Sequence, residues 1–276
     1  MQGTGHDNSR ANAPESCAFE FLGQLGKTII NPGGIEGRNR MLDLIRPAAG
    51  SRVLVIGGGS VQTACHIAIT FGCQVTALEF SLPTVAAAEE WVTRLGLTGR
   101  VSCELGNMTH LPFDADSFDY VISQAAMMIV PQQPALWEIR RVLKEGGAFA
   151  GLEFCWRRMP QQAMREATRT AFGCHSLDFH TLFGWIGSLR DAQFEATQGG
   201  EHPCRLLSSG KMIEDEGWVN YLKITGRLLV RRQERTRFQE IKKHLSTHQK
   251  YLSYVAFAGR KPSLPKVRPA QLAMIA

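Results

Sequence analysis

The sequence predicts an α/β fold whose sheet is mostly parallel and carries helices on both faces. The first observation is alternation: short apolar segments rich in Val, Ile, Leu and Phe alternate with longer segments of helical periodicity. The second is that the first apolar segment ends in three glycines, at positions 57–59, directly before a helical segment. A strand, a glycine-rich turn and a helix in succession are typical of nucleotide-binding α/β proteins, and crossovers of this length join parallel strands.

The individual elements follow from apolar periodicity and from the Gly and Pro residues that separate them. A short helix within residues 17–30 and a helix over 35–45 flank the turn Asn31-Pro32-Gly33-Gly34. Five strands are predicted over residues 52–56, 74–79, 101–105, 118–123 and 148–154. The helices between them are predicted over residues 61–71, 84–95 and 134–143. Further along the chain we expect a helix over 182–192, a strand over 194–197, a helical segment over 213–248 and a last strand over 251–258.

Composition limits the classes to which the chain belongs. Its 276 residues are 44% hydrophobic and 20% charged, which supplies enough apolar side chains for a core and excludes a mainly disordered protein. No apolar run reaches the roughly 18 residues of a membrane span, and the polar N-terminus lacks a secretory signal, so a cytoplasmic location is expected. Seven scattered cysteines without a CxxC pair argue against a disulfide scaffold or a structural zinc site. We expect one domain over 17–262, between a flexible tail at 1–16 and an extended tail at 263–276.

The glycine turn is followed, about 20 residues later, by an acidic residue at the end of the second strand. Glycines at positions 57 and 59 allow a ligand to approach the backbone where a Cβ atom would clash. The acid is Glu79, and a carboxylate at this place suits the hydroxyls of a ribose. The turn does not have the spacing G-x-G-x-x-G, so a cradle for pyrophosphate is not indicated.

Two longer stretches make the family signal specific. They are GNMTHLPFDADSFDYVIS, which contains the third inter-strand loop, and LWEIRRVLKEGGAFAGLEF, which leads into the fifth strand. Together with the glycine turn they resemble the class I S-adenosylmethionine-dependent methyltransferases, of the small-molecule type related to the enzymes of ubiquinone and menaquinone biosynthesis. The resemblance covers residues 31–200 and 251–261. It implies a Rossmann-like sheet of seven strands with an antiparallel last strand, a helical cap formed from residues 156–183 and 199–250, S-adenosyl-L-methionine as cofactor and S-adenosyl-L-homocysteine as product.

The resemblance also implies cofactor-binding residues. Gly57, Gly58 and Gly59 would line the methionine moiety, Glu79 would bind the two ribose hydroxyls, and Phe80 would contact adenine.

The remaining cofactor contacts implied by the resemblance come from the third and fourth strands. Asn107 and Met108 would hold the edge and face of adenine, with the Asn107 carbonyl oxygen accepting from the adenine amine. Ser123 and Gln124 would lie near the reactive methyl group.

Three positions depart from the family pattern. Val55 stands where the family usually has an acid, Val61 where it has a third glycine, and Asn107 where it has an aspartate. An acid near the cofactor's ammonium contributes about 1.5–3 kcal/mol, and Val61 is expected to add bulk beside the ligand. These changes support a second hypothesis from another class, a catalytically inactive methyltransferase-like pseudoenzyme that acts as a binding or scaffold subunit.

Methyl transfer from a sulfonium is an in-line displacement, in which much of the protein's contribution is positioning. Side chains expected to contact the acceptor lie in the N-terminal helix and at the ends of the fourth and fifth strands. They are Phe19, Phe21, Met127, Met128 and Trp156, although both methionines also suit an ordinary core.

The expected catalytic residues are Glu153, Gln124 and His175. Glu153 suits a general base if it is buried with a raised pKa, and the alternative is an exposed carboxylate at a strand end. His175 and His180 are alternative bases.

Absent motifs narrow the acceptor to a small molecule methylated without a metal. Ser123-Gln124-Ala125-Ala126 stands where enzymes that methylate adenine or glutamine amides carry (N/D)-P-P-(Y/F). No glutamate pair of the protein-arginine type follows the fourth strand, and that strand does not end in acids that would bind a metal.

The segment 211–250 is basic, with ten Lys or Arg against five acids. Its simplest interpretation is a solvated helix face with an apolar underside. Trp218, Leu222 and Leu229 fall near one face of the segment, as do Phe238, Ile241 and Leu245. The alternatives are a lid over the active site, a homodimer contact through residues 213–248, or a polyanion-binding surface. The lack of interleaved aromatic residues argues against single-stranded nucleic acid.

Overall fold

The computed structural model describes residues 17–57 and 59–263, so the two expected tails and Gly58 lie outside the described residues, apart from residue 263. A seven-stranded sheet has the order β3-β2-β1-β4-β5-β7-β6. Its strands are β1 (Arg52–Gly57), β2 (Gln74–Glu79), β3 (Val101–Leu105), β4 (Phe118–Gln124), β5 (Leu143–Trp156), β6 (Glu195–Pro203) and β7 (Leu252–Arg260). The first five strands run parallel to one another, and β7 pairs antiparallel with both β5 and β6. The predicted α/β class and the antiparallel last strand are confirmed.

Nine α-helices and one 3₁₀ turn are found in the described part of the chain. They are α1 (Ala18–Gln24), α2 (Gly34–Ile45), α3 (Ser60–Phe71), α4 (Leu82–Arg94), the 3₁₀ turn (Met127–Ile129), α5 (Gln132–Val142), α6 (Gln162–Phe172), α7 (Leu182–Asp191), α8 (Ser209–Val230) and α9 (Arg232–Thr247). The helices between the first five strands begin and end within two residues of their predicted bounds. Among the described residues, no helix has the length and apolarity needed to cross a lipid bilayer.

Apolar side chains form two cores, one on each face of the sheet. One core packs β1 residues Val53 and Val55 with α2, α3 and α4, and the other packs Phe149 and Phe257 with α1, α5 and α7. Val61 belongs to the first core and is buried on α3. Its side chain therefore packs in the core, and the expectation that it adds bulk beside the ligand stays a prediction.

The predicted cap is smaller than expected because β6 extends to Pro203. Residues 199–203, assigned to the helical cap, continue the strand and pair with β7. Gly199 and Gly200 interrupt the apolar alternation that is typical of a strand, so the sequence pattern did not predict this part of β6. The pairing itself requires a small residue, since a Cβ atom on Gly199 would lie 2.9 Å from the Phe257 Cβ atom.

The long basic segment forms two helices. α8 and α9 are separated at Arg231, and α8 has a non-helical residue at Gly217, with φ +73°. Ile224 and Leu228 form the buried side of α8. Of the two apolar faces predicted in this segment, the one formed by Phe238, Ile241 and Leu245 is buried on α9. The other face, with Trp218, Leu222 and Leu229, is exposed on α8. Periodicity identifies an apolar stripe on a helix, but α8 has two such stripes and only one of them packs.

Candidate functional site

The carboxyl ends of the parallel strands meet at one edge of the sheet, where α/β proteins bind their ligands. Gly57 ends β1, Glu79 ends β2 and Gln124 ends β4, and Gly57 and Gln124 are register partners. The order of the strands reverses between β1 and β4, so this edge contains the crevice in which a nucleotide is expected.

Gly57 and Gly59, the two described residues of the glycine turn, have no room for side chains. Gly57 has φ +92° and Gly59 has φ +79°, in the left-handed region that favours glycine. A Cβ atom on Gly57 would overlap the backbone oxygen of Gln124, and one on Gly59 would lie 2.8 Å from the backbone oxygen of Thr28. The turn therefore packs closely against the end of β4 and against the chain that follows α1.

Glu79 lies across from the N-terminus of α3. The Ser60 hydroxyl, in the first turn of that helix, donates a hydrogen bond to the Glu79 carboxylate. Burial raises the pKa of Glu79, and the Ser60 and Thr84 hydroxyls partly oppose this effect. Phe80 is exposed next to it, so a face of its ring is open to a flat ligand. These two residues have the chemistry that a ribose and an adenine require.

In the loop after β3, Asn107 is exposed and Met108 is buried. The Asn107 carbonyl oxygen accepts hydrogen bonds from both the backbone N–H and the hydroxyl of Thr109, each 2.9 Å long. Both lone pairs of that oxygen are used, which leaves only the amide group of Asn107, a donor, for a ligand. The expected acceptance from an adenine amine is therefore not available in this conformation. Met108 is fully buried in the core.

A buried polar cluster surrounds Gln124. Its side-chain oxygen accepts from the Asn31 amide at 3.0 Å and from the Thr63 hydroxyl at 3.3 Å. Among the described residues, the Gln124 Nε2 donor and the Asn31 Oδ1 and Gln62 Oε1 acceptors are buried and have no hydrogen-bond partner. Buried polar atoms that lack a partner cost about 1–3 kcal/mol each. A ligand that offers both an acceptor and donors beside the glycine turn would satisfy them.

This cluster fits the amino and carboxylate groups of a methionine moiety. Asn31 and Gln62 were not identified from the sequence. Gln62 could have been suspected because it follows the glycine turn by one helical turn. Asn31 had no such signal, because its contact with Gln124 joins residues 93 positions apart.

A strap formed by residues 27–35 covers the glycine turn and carries Asn31. Two acids in α8 hold it in place. The Glu216 carboxylate accepts from the backbone N–H groups of Thr28 and Ile29 and from the Thr28 hydroxyl, over 2.8–3.1 Å. The Asp215 carboxylate accepts from the Ile35 N–H at 2.9 Å.

Asp215 and Glu216 form an acidic clasp on the strap, and Lys27 of the strap forms ion pairs with both acids. Its ammonium lies 3.0 Å from Glu216 Oε1 and 4.0 Å from Asp215 Oδ2, and all three side chains are at most 1% exposed. A buried ion pair of this kind is strongly destabilising to break. The position of the strap is therefore determined by α8, an element more than 180 residues away in the chain.

Glu153 is a fully buried carboxylate on β5. Its Oε1 atom accepts from the backbone N–H groups of Ala126 at 3.2 Å and Met127 at 3.1 Å, and from the Ser123 hydroxyl at 3.3 Å. Its Oε2 atom is buried and has no hydrogen-bond partner in the described part of the chain. Burial raises the pKa of Glu153 to about 7, although these hydrogen bonds lower it. The alternative of an exposed strand-end carboxylate is wrong.

Most of the side chains expected to contact the acceptor lie in one apolar region. Phe19 packs against Phe154, with ring centroids 5.9 Å apart, and Trp156 packs against Phe179 at 5.4 Å. Met127 and Met128 are buried in the same core. The Trp156 indole nitrogen is buried and finds no hydrogen-bond partner within residues 17–57 and 59–263.

Phe21 belongs to the same core and also lines a groove beside residues 232–240 of α9. The predicted histidines lie elsewhere. His175 is exposed in the loop after α6, whereas Glu153 is fully buried, so the two side chains lie in different surroundings. His180 packs on Trp185 and lies 3.6 Å from Asp178. Within the described ranges, no group of three or more His, Cys, Asp or Glu side chains is placed to hold a metal ion.

Comparisons with known proteins agree with this geometry. Residues 54–151 match the family model described as a methyltransferase domain. The chain is similar to an uncharacterized protein of Haemophilus influenzae, with 27% identity over 90% of this chain and all of the relative. It is also similar to the uncharacterized methyltransferase YodH of Bacillus subtilis, with 26% identity over 65% of this chain and 75% of the relative.

A solved structure shares the fold. It is phosphoethanolamine N-methyltransferase 2 of Haemonchus contortus in complex with S-adenosyl-L-methionine, with a TM-score of 0.69 and 20% identity over 89% of this chain and 57% of that one. At this level of identity the likeness concerns the fold alone.

Proposed function

We propose that this chain, which belongs to the class I S-adenosylmethionine-dependent methyltransferases, methylates a small organic acceptor by in-line displacement and without a metal ion. The observation that carries the proposal is the convergence of Glu79, the glycine turn and the partnerless polar atoms of Asn31 and Gln124 at one edge of the sheet. Each part of the cofactor then faces groups of suitable chemistry.

In the proposed arrangement, the cofactor lies over the ends of β1 and β2. The Asn31 and Gln124 side chains would bind its amino-acid end, Glu79 its ribose hydroxyls and Phe80 its adenine. When bound, S-adenosylmethionine supplies an electrophilic methyl group on a positively charged sulfonium. The strap would exclude water from the methionine end, since it lies against Gly59.

The acceptor would lie on the apolar side of the site, near Phe19, Met127 and Trp156. This lining favours a largely apolar acceptor over a highly charged one. Glu153 would have two roles. Its Oε1 atom holds the loop at Ala126 and Met127, and its partnerless Oε2 atom would accept a proton from an acceptor O–H or N–H group. A pKa of about 7 is close to the operating pH that such a base requires.

The first experiment is calorimetric titration with S-adenosylhomocysteine of three proteins: the wild type, Glu79→Ala and Glu104→Ala. Glu104 is an exposed carboxylate on β3 and serves as the matched control. We expect Glu79→Ala to weaken binding at least about tenfold, which corresponds to the loss of about 1.4 kcal/mol of charge-assisted hydrogen bonding. Glu104→Ala should bind as the wild type does. Equal affinity of the two variants would contradict the proposed ribose site.

Turnover is tested separately with S-adenosylmethionine carrying a labelled methyl group and a panel of apolar phenols, amines and enolisable ketones. Glu153→Gln should lower kcat and leave the affinity for S-adenosylhomocysteine unchanged. Activity that disappears on chelation and returns with a divalent metal would contradict the metal-free reaction.

A further inference from the structure

α8 presents a second apolar stripe that no part of the described chain covers. Its side chains, which we call the outer stripe, are exposed by between 62% and 85%. They are Trp218 (64%), Val219 (70%), Leu222 (62%), Leu229 (74%) and Val230 (85%). At 3.6 residues per turn these five positions fall within an arc of about 120° on the helix.

The outer stripe is not needed to hold α8 in place. Ile224 and Leu228 bury the opposite side of the helix in the core. Arg227 links α8 to α9 through an ion pair with Glu234 and to α1 through the Gln24 carbonyl oxygen. Because the helix is already packed and tied at its inner side, the exposed apolar side chains are free to contact a partner.

The borders of the outer stripe are positively charged. Between residues 218 and 239 the chain has six Lys or Arg and a single acid, Glu234. Glu234 is already engaged by Arg227 and Arg231. Lys223 is exposed on α8 beside the stripe, and Arg232 is exposed two residues after Val230. The surface thus combines large apolar side chains, including a tryptophan, with two exposed cations.

We propose that the outer stripe docks this protein on the surface of an anionic lipid bilayer. Trp, Leu and Val would enter the interfacial region, while Lys223 and Arg232 contact lipid phosphates, as interfacial amphipathic helices do. A second copy of the chain fits less well. In a symmetric dimer the same patch of both copies would meet, so the cations of one copy would face those of the other. Glu234, the acid beside the stripe, is already paired with Arg227 and Arg231 and would not offset this repulsion. The inference is independent of the proposed methyl transfer, because it uses no residue of the candidate site.

The test is flotation of the full chain with lipid vesicles at about 0.1 M salt, where surface charges interact over about 10 Å. One set of vesicles is phosphatidylcholine alone, and the other contains three parts phosphatidylcholine to one part phosphatidylglycerol. The variants are Trp218→Ser/Leu222→Ser/Leu229→Ser, Lys223→Ser/Arg232→Ser, and the control Phe183→Ser. Phe183 lies on α7 and is 86% exposed, outside the outer stripe.

We expect the wild type and Phe183→Ser to float with the anionic vesicles and to partition at least about tenfold more weakly onto phosphatidylcholine. The triple variant should lose at least about tenfold in partitioning, and the double variant should bind anionic vesicles no better than neutral ones. Unchanged circular dichroism and unchanged affinity for S-adenosylhomocysteine would show that the triple variant is folded.

Three results would overturn the proposal. The wild type could remain in solution with anionic vesicles. The triple variant could float as well as the wild type, which would mean that charge alone is responsible. The wild type could also be a dimer by light scattering that the triple variant converts to a monomer, which would assign the stripe to a second copy of the chain.

Discussion

Replacing Glu153 by glutamine tests the most unusual ionisable group of the site. The substitution keeps an oxygen that accepts from the Ala126 and Met127 backbone and from the Ser123 hydroxyl, and it removes the charge. The second atom of the group, Oε2, has no partner, so the new amide nitrogen disrupts no existing bond. The difference between the two proteins therefore isolates the titration of one buried carboxyl group.

The sign of the effect follows from the raised pKa. Burial moves the pKa of Glu153 from 4.5 to about 7, so between these values the folded protein holds a proton that the unfolded chain releases. The associated stability is complete below about pH 4 and is lost as the pH rises through 7. A span of about 2.5 pH units at about 1.36 kcal/mol per unit amounts to about 3 kcal/mol, most of which falls between pH 5 and pH 8.

The assay is urea denaturation of the wild type and Glu153→Gln at several pH values from 5 to 8. The free energy of unfolding of the wild type, relative to the variant, should fall by about 2–3 kcal/mol over this range. All other titrating groups are common to both proteins and cancel in the difference. Glu104→Gln, a change at an exposed position on β3, should show no such trend. A wild-type-minus-variant difference that is constant with pH would refute the assignment of a raised pKa to Glu153.

Two further predictions concern the strap. Glu216→Ala leaves Lys27 and the strap N–H groups without their main acceptor, so it should destabilise the protein by about 3–5 kcal/mol in urea denaturation. If the variant folds, its affinity for S-adenosylhomocysteine should also fall. Wild-type affinity would show that the strap does not contribute to cofactor binding. Gly34→Ala places a Cβ atom onto the Asp215 carboxylate at φ +63° and should destabilise by more than about 1 kcal/mol. Gly226→Ala, in the middle of α8 with open space around it, should instead stabilise by about 0.5–1 kcal/mol, and the opposite order of the two glycine variants in thermal denaturation would contradict this reasoning.

The parallel half of the fold could be predicted because each of its elements is specified locally. β2 was predicted to the residue, and its end placed Glu79 at the ligand edge. β5 proved longer than predicted because Leu143 already pairs with Phe118, ahead of the irregularity that follows. β6 was misjudged because an edge strand with two glycines has no apolar alternation. α8 has two apolar stripes of similar character, so the sequence could not show which of them packs against the rest of the protein.

The site could be predicted only where its residues lie at the end of a strand. Glu79 ends β2 and Gln124 ends β4, and the structure places both at the edge of the sheet. The strap and its clasp do not, because Glu216 and Thr28 are 188 positions apart and no spacing rule connects them. Three successive acids at positions 214–216, near the start of α8, suit the helix dipole and so give no sign of a partner segment. Asp215 and Glu216 are instead buried acceptors for the backbone of another segment.

Burial gives a physical account of the departure at Val55. That residue is fully buried in the core between β1 and its neighbours, where an acid would need a partner of its own. The clasp acids Asp215 and Glu216 lie in α8, and they act on the strap. In the proposed function, the amino-acid end of the cofactor is held by Asn31 and Gln124, neutral groups whose partnerless atoms supply an acceptor and a donor. Cofactor affinity should therefore depend on how firmly α8 holds the strap, because Asn31 reaches Gln124 only from that position.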